Sequence, residues 1–206
     1  MLKSVDLETK LKDPSLLKKQ AYINGKWVGA KSGKTFHVYN PSTGEVIADV
    51  PDMGVEDLQV AIDGAYKAQK MWAAKTGKER AGILKKWNDL MVENADDLAI
   101  ILTAEMGKPL AEARGEIVYG ASFIEWFAEE AKRVYGETIP GHQPDKRIMV
   151  IKQPVGVVAS ITPWNFPNAM ITRKAGPALA SGCAFVAKPA GETPLSGLVM
   201  VELAER

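Results

Sequence analysis

The spacing of apolar residues changes along the chain and separates regions with different predicted structure. Residues 22–50 are predicted to be extended segments broken by turns, and the Asn24-Gly25 pair between apolar flanks in YINGKWV predicts a β-hairpin. The segment NPSTGEVIADV predicts another turn followed by a strand. From about residue 55 to residue 133, apolar residues recur three and four positions apart, which predicts a series of helices.

The ends of these helices carry their own signals. Asn94 and Asp97 are predicted to cap one helix, and Gly107 is expected to end it. Pro109 suits the first turn of a longer helix that reaches about Arg133. Near Tyr135 the apolar period becomes that of strands, so VYGETIPG and RIMVIKQ predict a hairpin.

The last part of the chain alternates strands and helices. GVVASIT and CAFVAK predict two short apolar strands, and PNAMITRKAGPALASG between them predicts a helix. This helix is expected to open at Pro167, to kink at Pro177 and to end at Gly182. Thr193 is the predicted cap of the next helix, and Pro194 suits its first turn. Such a βαβα order is typical of a parallel sheet.

The expected fold class is therefore α/β, with an incomplete doubly wound parallel sheet, a helical N-terminal region and a β-hairpin. Two parallel strands alone do not make a stable doubly wound sheet, because parallel sheets are normally covered on both faces. The sequence also ends inside a predicted helix. We expect it to be the N-terminal part of a longer protein.

Composition excludes several function classes. The net charge is +1, so no broad electrostatic attraction to nucleic acid or to an anionic membrane is expected. The apolar runs are too short to cross a membrane, and the N-terminus lacks a signal-like apolar core, which favours a cytoplasmic location. One cysteine, Cys183, excludes an internal disulfide framework, and with His37 and His142 it forms no recognisable metal cluster.

Candidate chemistry lies after the two predicted parallel strands, because open parallel sheets bind ligands beyond the carboxyl ends of their strands. The first strand leads into residues 162–165, and the second leads into residues 188–192. One loop offers an amide and an indole; the other offers a cation, backbone amides and a carboxylate. This set suits a phosphorylated cofactor and a polar reaction centre, although neither standard glycine-rich phosphate fingerprint occurs.

Asn165 lies in the conformationally restricted stretch ITPWNFPNA. Pro163 and Pro167 fix their own φ and push the residues before them into extended conformations, so the Asn165 amide is aimed in advance. A donor that is in place before charge develops is what an oxyanion hole requires. The alternative is a buried asparagine that caps the following helix.

Phe166, Met170 and Arg173 share one face of that following helix. They suit a tunnel for a short substrate whose far carboxylate pairs with the arginine, or else a core stripe with a solvated arginine. Lys188 suits a ribose or phosphate contact, or an ordinary surface position. Cys183 is predicted to be a buried structural thiol. Glu105 and the acids of EWFAEEAKR are predicted to lie on solvated helix faces.

Several of these segments, in this order, resemble the aldehyde dehydrogenase superfamily. The matching motifs cover nearly the whole chain after about residue 20 and are YINGKWV, NPSTGEVIADV, EMGKPLAEARGEI, QPVGVVASITPWNFP and GPALASGCAFVAKPAGETPLS. Two stretches, EWFAEEAKRVYGETIP and NFPNAMITRKAGPALASGC, resemble in particular the succinate-semialdehyde dehydrogenases of that family.

The resemblance implies a role for each candidate residue. Asn165 corresponds to the amide that stabilises the thiohemiacetal oxyanion. Phe166 and Met170 correspond to tunnel positions, and Arg173 to the arginine that holds the distal carboxylate of succinic semialdehyde. Lys188 corresponds to the lysine that binds the adenosine ribose or the extra phosphate of NADP. The implied cofactor contacts are Thr162, Pro163, Trp164, Lys188, Ala190 and Gly191, and no metal is required.

The resemblance also implies a division into domains and a mode of assembly. Residues 1–18 form an N-terminal arm, and residues 19–134 form the first part of a dinucleotide-binding domain. Residues 135–152 are half of a bridging element through which subunits associate, and the complete enzyme is expected to be a homodimer or homotetramer. Residues 153–206 form a truncated βαβα unit of the same dinucleotide-binding domain.

One departure from the family pattern bears on the cofactor. Many members that prefer NAD carry a glutamate three residues after the lysine, where this chain has Gly191, with Glu192 one position later. A carboxylate there would repel a 2′-phosphate, so glycine beside Lys188 favours NADP, with NAD as the alternative.

A larger departure is that the family's nucleophilic cysteine and general-base glutamate both lie beyond residue 206. Cys183 matches a structural position, so the isolated chain is expected to have no dehydrogenase turnover. The leading hypothesis is part of a dehydrogenase for succinic semialdehyde. One alternative changes the substrate to glutaric semialdehyde or a simple aliphatic aldehyde. Another is a non-catalytic module that binds nucleotide or pairs with a full-length subunit.

Overall fold

The N-terminal arm is tied to the helical core. The computed structural model describes residues 7–206, so residues 1–6 of the predicted arm lie outside the described residues. Two short 3₁₀ helices follow, at Leu7–Lys10 and Pro14–Leu16. The carboxylate of Asp97 accepts hydrogen bonds from the backbone amides of Lys12 and Asp13, at 2.9 and 2.8 Å. Asp97 therefore anchors the arm, and its predicted role as a helix cap is wrong.

Two antiparallel hairpins follow the arm. Asn24 and Gly25, in the first turn, both have positive φ angles, 54° and 76°. A type I′ turn requires positive φ at both central residues, so the predicted hairpin is confirmed. The strands of the two hairpins, in pairs, are β1 (Ala21–Ile23) with β2 (Lys26–Val28), and β3 (Thr35–Tyr39) with β4 (Val46–Pro51).

Four helices then cover the predicted helical region. Gly107 follows the third helix with a φ of 80°, which glycine adopts without a steric penalty, and it ends this helix as predicted. Asn94 precedes the same helix, but its side chain donates to the carbonyl of Leu90 instead of capping. The helices are α1 (Val55–Ala73), α2 (Gly77–Glu93), α3 (Ala95–Met106) and α4 (Leu110–Glu130), with a 3₁₀ turn at Ala131–Arg133.

The hairpin predicted after Tyr135 is present and is exposed to solvent. β5 (Glu137–Pro140) pairs antiparallel with β6 (Arg147–Val150). Every residue of both strands is exposed, including Ile139, Ile148 and Met149. The hairpin therefore presents apolar side chains that residues 7–206 cover only in part.

The C-terminal part is the predicted βαβα unit. β7 (Val157–Ile161) and β8 (Ala184–Lys188) pair in parallel, with α5 (Ala169–Ala180) between them in the chain and α6 (Pro194–Glu205) after them. The helix α5 begins two residues after Pro167, contains Pro177 and is followed by Gly182 at a φ of 92°. The α/β class with an incomplete parallel sheet is confirmed. The one cysteine, Cys183, is buried beside β8, as predicted.

Indole and guanidinium groups join the helical region to the βαβα unit. The indole N–H of Trp72 donates to the carbonyl of Leu179 at 2.8 Å, and that of Trp87 donates to the carbonyl of Met200 at 3.0 Å. Arg80 donates through Nε to the carbonyl of Ala180 at 3.0 Å. Apolar side chains of α2, α3, α4 and α6 form the shared core around these bonds, among them Leu84, Met91, Ile101, Ile124 and Leu203. The two halves therefore share one core.

The apolar stripe of α1 is less buried than its periodicity predicts. The helix packs against β7 and β8, yet Leu58 and Ile62 remain 48% and 38% exposed. A helix of 19 residues extends well beyond a pair of five-residue strands, so part of its apolar face stays uncovered by the described residues.

Candidate active site

The two strand-end loops adjoin, as expected for neighbouring parallel strands. Ile161 is level with Lys188 in the register, so both strands end at the same edge. Beyond that edge, the backbone amide of Thr162 donates to the carbonyl oxygen of Lys188 at 3.2 Å. The candidate reaction centre and the candidate cofactor contacts therefore lie side by side.

Asn165 is exposed in the loop between β7 and α5. Its side-chain amide makes no hydrogen bond with any of residues 7–206. The backbone amides of Asn168 and Ala169, where α5 starts, are bound instead by Oε1 of Glu116, at 3.0 and 3.3 Å. The alternative that Asn165 is a buried cap is therefore wrong, and its amide is free to meet a ligand.

A buried ion pair supports this loop from beneath. Nζ of Lys108 lies 2.5 Å from Oε2 of Glu116, and both side chains are almost fully buried. The same ammonium donates to the backbone carbonyl of Asn165 at 3.1 Å and lies 3.8 Å from the ring centroid of Phe166. Two buried charges are tolerated only when they are paired and hydrogen-bonded, and both conditions hold here. The pair joins the beginning of α4 to Asn165 and to the residues that follow it.

Lys108 and Glu116 were not among the predicted site residues, although helical spacing indicates that Glu116 is buried. Glu116 comes three residues after Ala113 and four before Gly120, and all three lie on the buried face of α4. A carboxylate among buried positions of a helix needs a partner, which in this fold is Lys108. Lys108 itself sits in the turn between α3 and α4, where no periodic pattern identifies it.

Of the predicted substrate stripe, Met170 and Arg173 lie on α5, whereas Phe166 lies in the loop before that helix, so the three do not share one helix face. Phe166 is 39% exposed, Met170 is half-buried and Arg173 is exposed, so the three do not form a core stripe. Beside Arg173, burial lowers the pKa of Lys174, and the positive charge of the arginine lowers it further. Nζ of Lys174 donates to the carbonyl of Met170 at 2.9 Å. Arg173 and Lys174 together form a basic segment of α5.

The loop after β8 offers an exposed cation beside open space. The ammonium of Lys188 contacts the carbonyl of Pro189 at 3.3 Å and is otherwise directed to solvent. Ala190 is half-buried and Gly191 is exposed. A Cβ added at Gly191 would come no closer than 3.9 Å to its nearest neighbour, the ring of Phe36. The backbone therefore does not require glycine at this position, and a ligand has room there.

Three further candidates line the end of β7. The hydroxyl of Thr162 is buried and lacks a hydrogen-bond partner among residues 7–206. Pro163 and Trp164 are exposed, Trp164 by 51%. A buried hydroxyl without a partner costs free energy in the absence of a ligand or water, so Thr162 is suited to contact a bound molecule.

Glu105 is buried and binds the start of α6, contrary to two predictions. Its carboxylate is 2% exposed and accepts hydrogen bonds from the backbone amides of Leu195 and Ser196, both at 2.7 Å. The predicted solvated helix face is therefore wrong for this residue. The hydroxyl of Thr193, the predicted cap, has no partner, because Glu105 occupies the capping site. Burial raises the pKa of Glu105 to about 8, outweighing the lowering effect of its hydrogen bonds.

The start of α6 is consequently not available to an anion. The amides at a helix N-terminus ordinarily attract phosphate, but here a carboxylate of the same chain binds them.

In residues 7–206, no group of three His, Cys, Asp or Glu side chains has the arrangement of a metal site. Among the helices of the same residues, none has both the length and the apolar character needed to cross a membrane.

Comparison with known proteins relates the chain to one protein family. The sequence profile of the aldehyde dehydrogenase family matches residues 27–206. A glutarate-semialdehyde dehydrogenase of Pseudomonas aeruginosa is 64% identical over 196 residues, which are 95% of this chain and 41% of that protein. The succinate-semialdehyde dehydrogenase [NADP(+)] of Escherichia coli K12 is 60% identical over 197 residues, 96% of this chain and 41% of that protein.

A solved structure shows the same fold. The crystal structure of succinate-semialdehyde dehydrogenase from Burkholderia pseudomallei superimposes with a TM-score of 0.94 at 60% identity, covering 95% of this chain and 41% of that one. The chain thus spans about two fifths of the length of the relatives that it matches. With the family profile over most of its length, this extent of identity and the shared parallel strand pair, the chain belongs to the aldehyde dehydrogenase family.

Proposed function

We propose that this chain is the N-terminal part of an NAD(P)-dependent semialdehyde dehydrogenase, with succinic semialdehyde as the leading substrate. Asn165 carries the proposal, because its side chain is exposed in a loop beside the ends of two parallel strands and its backbone carbonyl accepts a hydrogen bond from Lys108. Family membership supplies the reaction class, the oxidation of an aldehyde to a carboxylic acid. Relatives at 60% and 64% identity are named for succinic and glutaric semialdehyde.

In this proposal Asn165 is the oxyanion donor. Attack of a thiolate on the aldehyde turns the carbonyl oxygen into an oxyanion, and a fixed N–H donor stabilises that charge. Within residues 7–206 the side-chain amide of Asn165 has no hydrogen-bond partner, and its backbone carbonyl accepts a hydrogen bond from Lys108. It therefore donates without first breaking another hydrogen bond.

The loop after β8 and the end of β7 are proposed to hold the cofactor, which accepts the hydride when bound. The exposed ammonium of Lys188 pairs with a phosphate or ribose, and the space at Gly191 admits a 2′-phosphate. The unpartnered hydroxyl of Thr162 adds a hydrogen-bonding group. These features fit NADP, with NAD as the alternative, and the proposed contacts extend to Pro163, Trp164 and Ala190.

Phe166, Met170 and Arg173 are proposed to line the aldehyde site. Together they lead from the Asn165 loop along α5 to an exposed guanidinium. A guanidinium pairs with a carboxylate through two parallel hydrogen bonds, so it suits the distal acid group of a semialdehyde. Glutaric semialdehyde, longer by one methylene, is the second candidate substrate.

The nucleophile is proposed to lie outside this sequence. Cys183 is 3% exposed and its sulfur lies 3.5 Å from the hydroxyl of Ser181. A thiol buried in this way is inert, since reactive thiolates need access and a positive environment. We therefore expect the isolated 206 residues to have no turnover.

The exposed β5–β6 hairpin is proposed to contact another subunit in a homodimer or homotetramer. Ile139, Ile148 and Met149 are covered only in part by residues 7–206, and an edge strand with apolar side chains readily pairs with another chain. The proposed function also includes the division of the chain into domains, with boundaries after residues 18, 134 and 152.

The first test reads the coding sequence beyond codon 206 and assays the complete polypeptide. We expect the reading frame to continue and to encode a reactive-type cysteine. We also expect the complete polypeptide to form NADPH only when succinic semialdehyde is present. Asn165→Ala should lower kcat by about 10²- to 10³-fold, as removal of one oxyanion donor does. Asn88→Ala, on the α2 surface, is the matched control and should leave kcat unchanged. A stop at codon 207, or equal rates for wild type and Asn165→Ala, would contradict the proposal.

A further inference from the structure

From Asn165 to the start of α5, one ion pair supplies the side-chain hydrogen bonds that the chain accepts or donates at Asn165, Asn168 and Ala169. Lys108 holds the carbonyl oxygen of Asn165 at 3.1 Å. Glu116 holds the amides of Asn168 and Ala169, at 3.0 and 3.3 Å. The two side chains meet at 2.5 Å, so the loop and the start of α5 share a single buried support.

We propose that Lys108 and Glu116 are positioning residues for catalysis, which fix the direction of the Asn165 side chain without touching the substrate themselves. This role rests on the proposed function of Asn165 as the oxyanion donor.

The contact made by Lys108 restricts the orientation of the amide. A hydrogen bond to the Asn165 carbonyl fixes the plane of the peptide that follows Asn165, since that peptide is rigid and planar. The neighbouring prolines restrict the chain on either side of the loop. With the peptide plane held, the direction of the Cα–Cβ bond of Asn165 is restricted, and the amide at its end is confined to the positions that the side-chain rotamers allow.

Glu116 completes the support because its two carboxylate oxygens bind different groups. Oε2 accepts from Lys108, and Oε1 accepts from the first amides of α5. A carboxylate at a helix N-terminus is favourable because the unpaired amides there carry partial positive charge. Glu116 therefore keeps Lys108 in place and fixes the point where the loop joins α5.

The same ammonium also faces Phe166. It lies 3.8 Å from the ring centroid, within the range of a cation–π contact. The residues before and after the Asn165–Phe166 peptide bond are thus held by one charge. A structural ion pair elsewhere on the surface, such as Lys132 with Glu129, has no contact of this kind with the loop.

The test is a double-mutant cycle in the complete enzyme. Lys108→Met keeps most of the length of the side chain and removes the charged end. We expect it to lower kcat by about 10²-fold in the wild-type background, because a misdirected donor no longer meets the oxyanion. In the Asn165→Ala background, the same substitution should change kcat by less than about twofold, because the donor it would misdirect is already gone. Lys132→Met is the matched control and should be silent in both backgrounds.

A second measurement keeps the proposal testable if Lys108→Met leaves Glu116 buried without a partner and unfolds the protein. The paired variant Lys108→Met/Glu116→Gln removes both charges together. Its amide hydrogen exchange should increase at residues 162–169, while its melting temperature stays close to that of the wild type. Equal exchange in this segment, with the variant folded, would overturn the proposal.

The kinetic outcomes separate the two proposals. If Asn165→Ala is slow but the two substitutions have independent, multiplicative effects on kcat, the positioning role is wrong and the oxyanion role stands. If the complete wild-type enzyme does not oxidise an aldehyde, the proposed function is wrong, and the positioning role fails with it. If Lys108→Met lowers kcat only where Asn165 is present, the result supports both the oxyanion role and the positioning role.

Discussion

The backbone amide of Thr162 donates a hydrogen bond to the carbonyl oxygen of Lys188, across the ends of two parallel strands. This bond ties the first residue of the loop that carries Asn165 to the last residue of β8, after which the loop that carries Gly191 begins. The loop proposed for the reaction and the loop proposed for the cofactor therefore begin side by side.

Gly191→Glu is expected to change the cofactor preference from NADP towards NAD. The added Cβ would meet only Phe36, at 3.9 Å, so the backbone accepts a side chain. A carboxylate beside Lys188 would repel a 2′-phosphate and accept hydrogen bonds from a ribose. We expect kcat/KM for NADP to fall by about tenfold or more, equivalent to about 1.4 kcal/mol, with NAD little affected.

The control for this prediction is Gly191→Gln, which has the same size without the charge. It should retain most of the preference for NADP. If Gln and Glu alter the ratio of the two specificity constants equally, the effect is steric and the electrostatic account is incorrect.

Arg173→Leu is expected to reduce activity on semialdehydes selectively. The exposed guanidinium is proposed to pair with the distal carboxylate, so its removal should lower kcat/KM for succinic semialdehyde by about 10²-fold, or about 3 kcal/mol. Propanal has no carboxylate and should be oxidised at nearly the original rate. Steady-state kinetics with both aldehydes measures the difference, and Arg173→Lys should restore part of it. An equal loss for the two aldehydes would refute carboxylate recognition.

Local patterns predicted the features of this fold that neighbouring residues determine. Asn24 and Gly25 specify a tight hairpin because both tolerate positive φ, and the structure has both there. Gly107 ends α3 for the same kind of reason. The parallel pairing of β7 with β8 followed from the order of strands and helices, since that order leaves few topologies.

The features that sequence analysis missed depend on residues far apart in the chain. Glu105 binds amides 90 and 91 positions later, and Glu116 binds amides 52 and 53 positions later. A carboxylate in a helical sequence normally indicates a solvated face, and only packing against the start of another helix reverses that expectation. Asn165 was identified because its two neighbouring prolines act locally, whereas its support by Lys108 is a tertiary contact.

Glu105 should make the stability of the protein depend on pH. Its pKa in the folded state is raised from 4.5 to about 8, so between these values the folded protein binds more protons than the unfolded chain. The free energy of unfolding should therefore fall as pH rises from about 4.5 to about 8, by about 2 to 5 kcal/mol from this group. Urea unfolding of the complete protein at pH 6 and pH 9 measures the change.

Glu105→Gln isolates this contribution because glutamine does not titrate. The difference in unfolding free energy between the wild type and this variant should shrink or reverse between pH 6 and pH 9. Glu129→Gln removes an exposed acid on α4 and serves as the control, with a difference independent of pH over that range. A constant difference for Glu105→Gln as well would mean that Glu105 is ionised throughout.

Gly120→Ala and Gly115→Ala should have opposite effects on stability, although both glycines lie in α4. A Cβ at Gly120 would clash with Oδ1 of Asn168, whose side chain is fully buried, so overpacking should cost about 1 to 3 kcal/mol. A Cβ at Gly115 meets nothing within 4 Å, so alanine should stabilise the helix by about 0.5 to 1 kcal/mol. Thermal unfolding of both variants compares a close helix contact with intrinsic helix propensity in the same element. Stabilisation by both substitutions would show that α4 and α5 are less closely packed at Asn168 than the geometry requires.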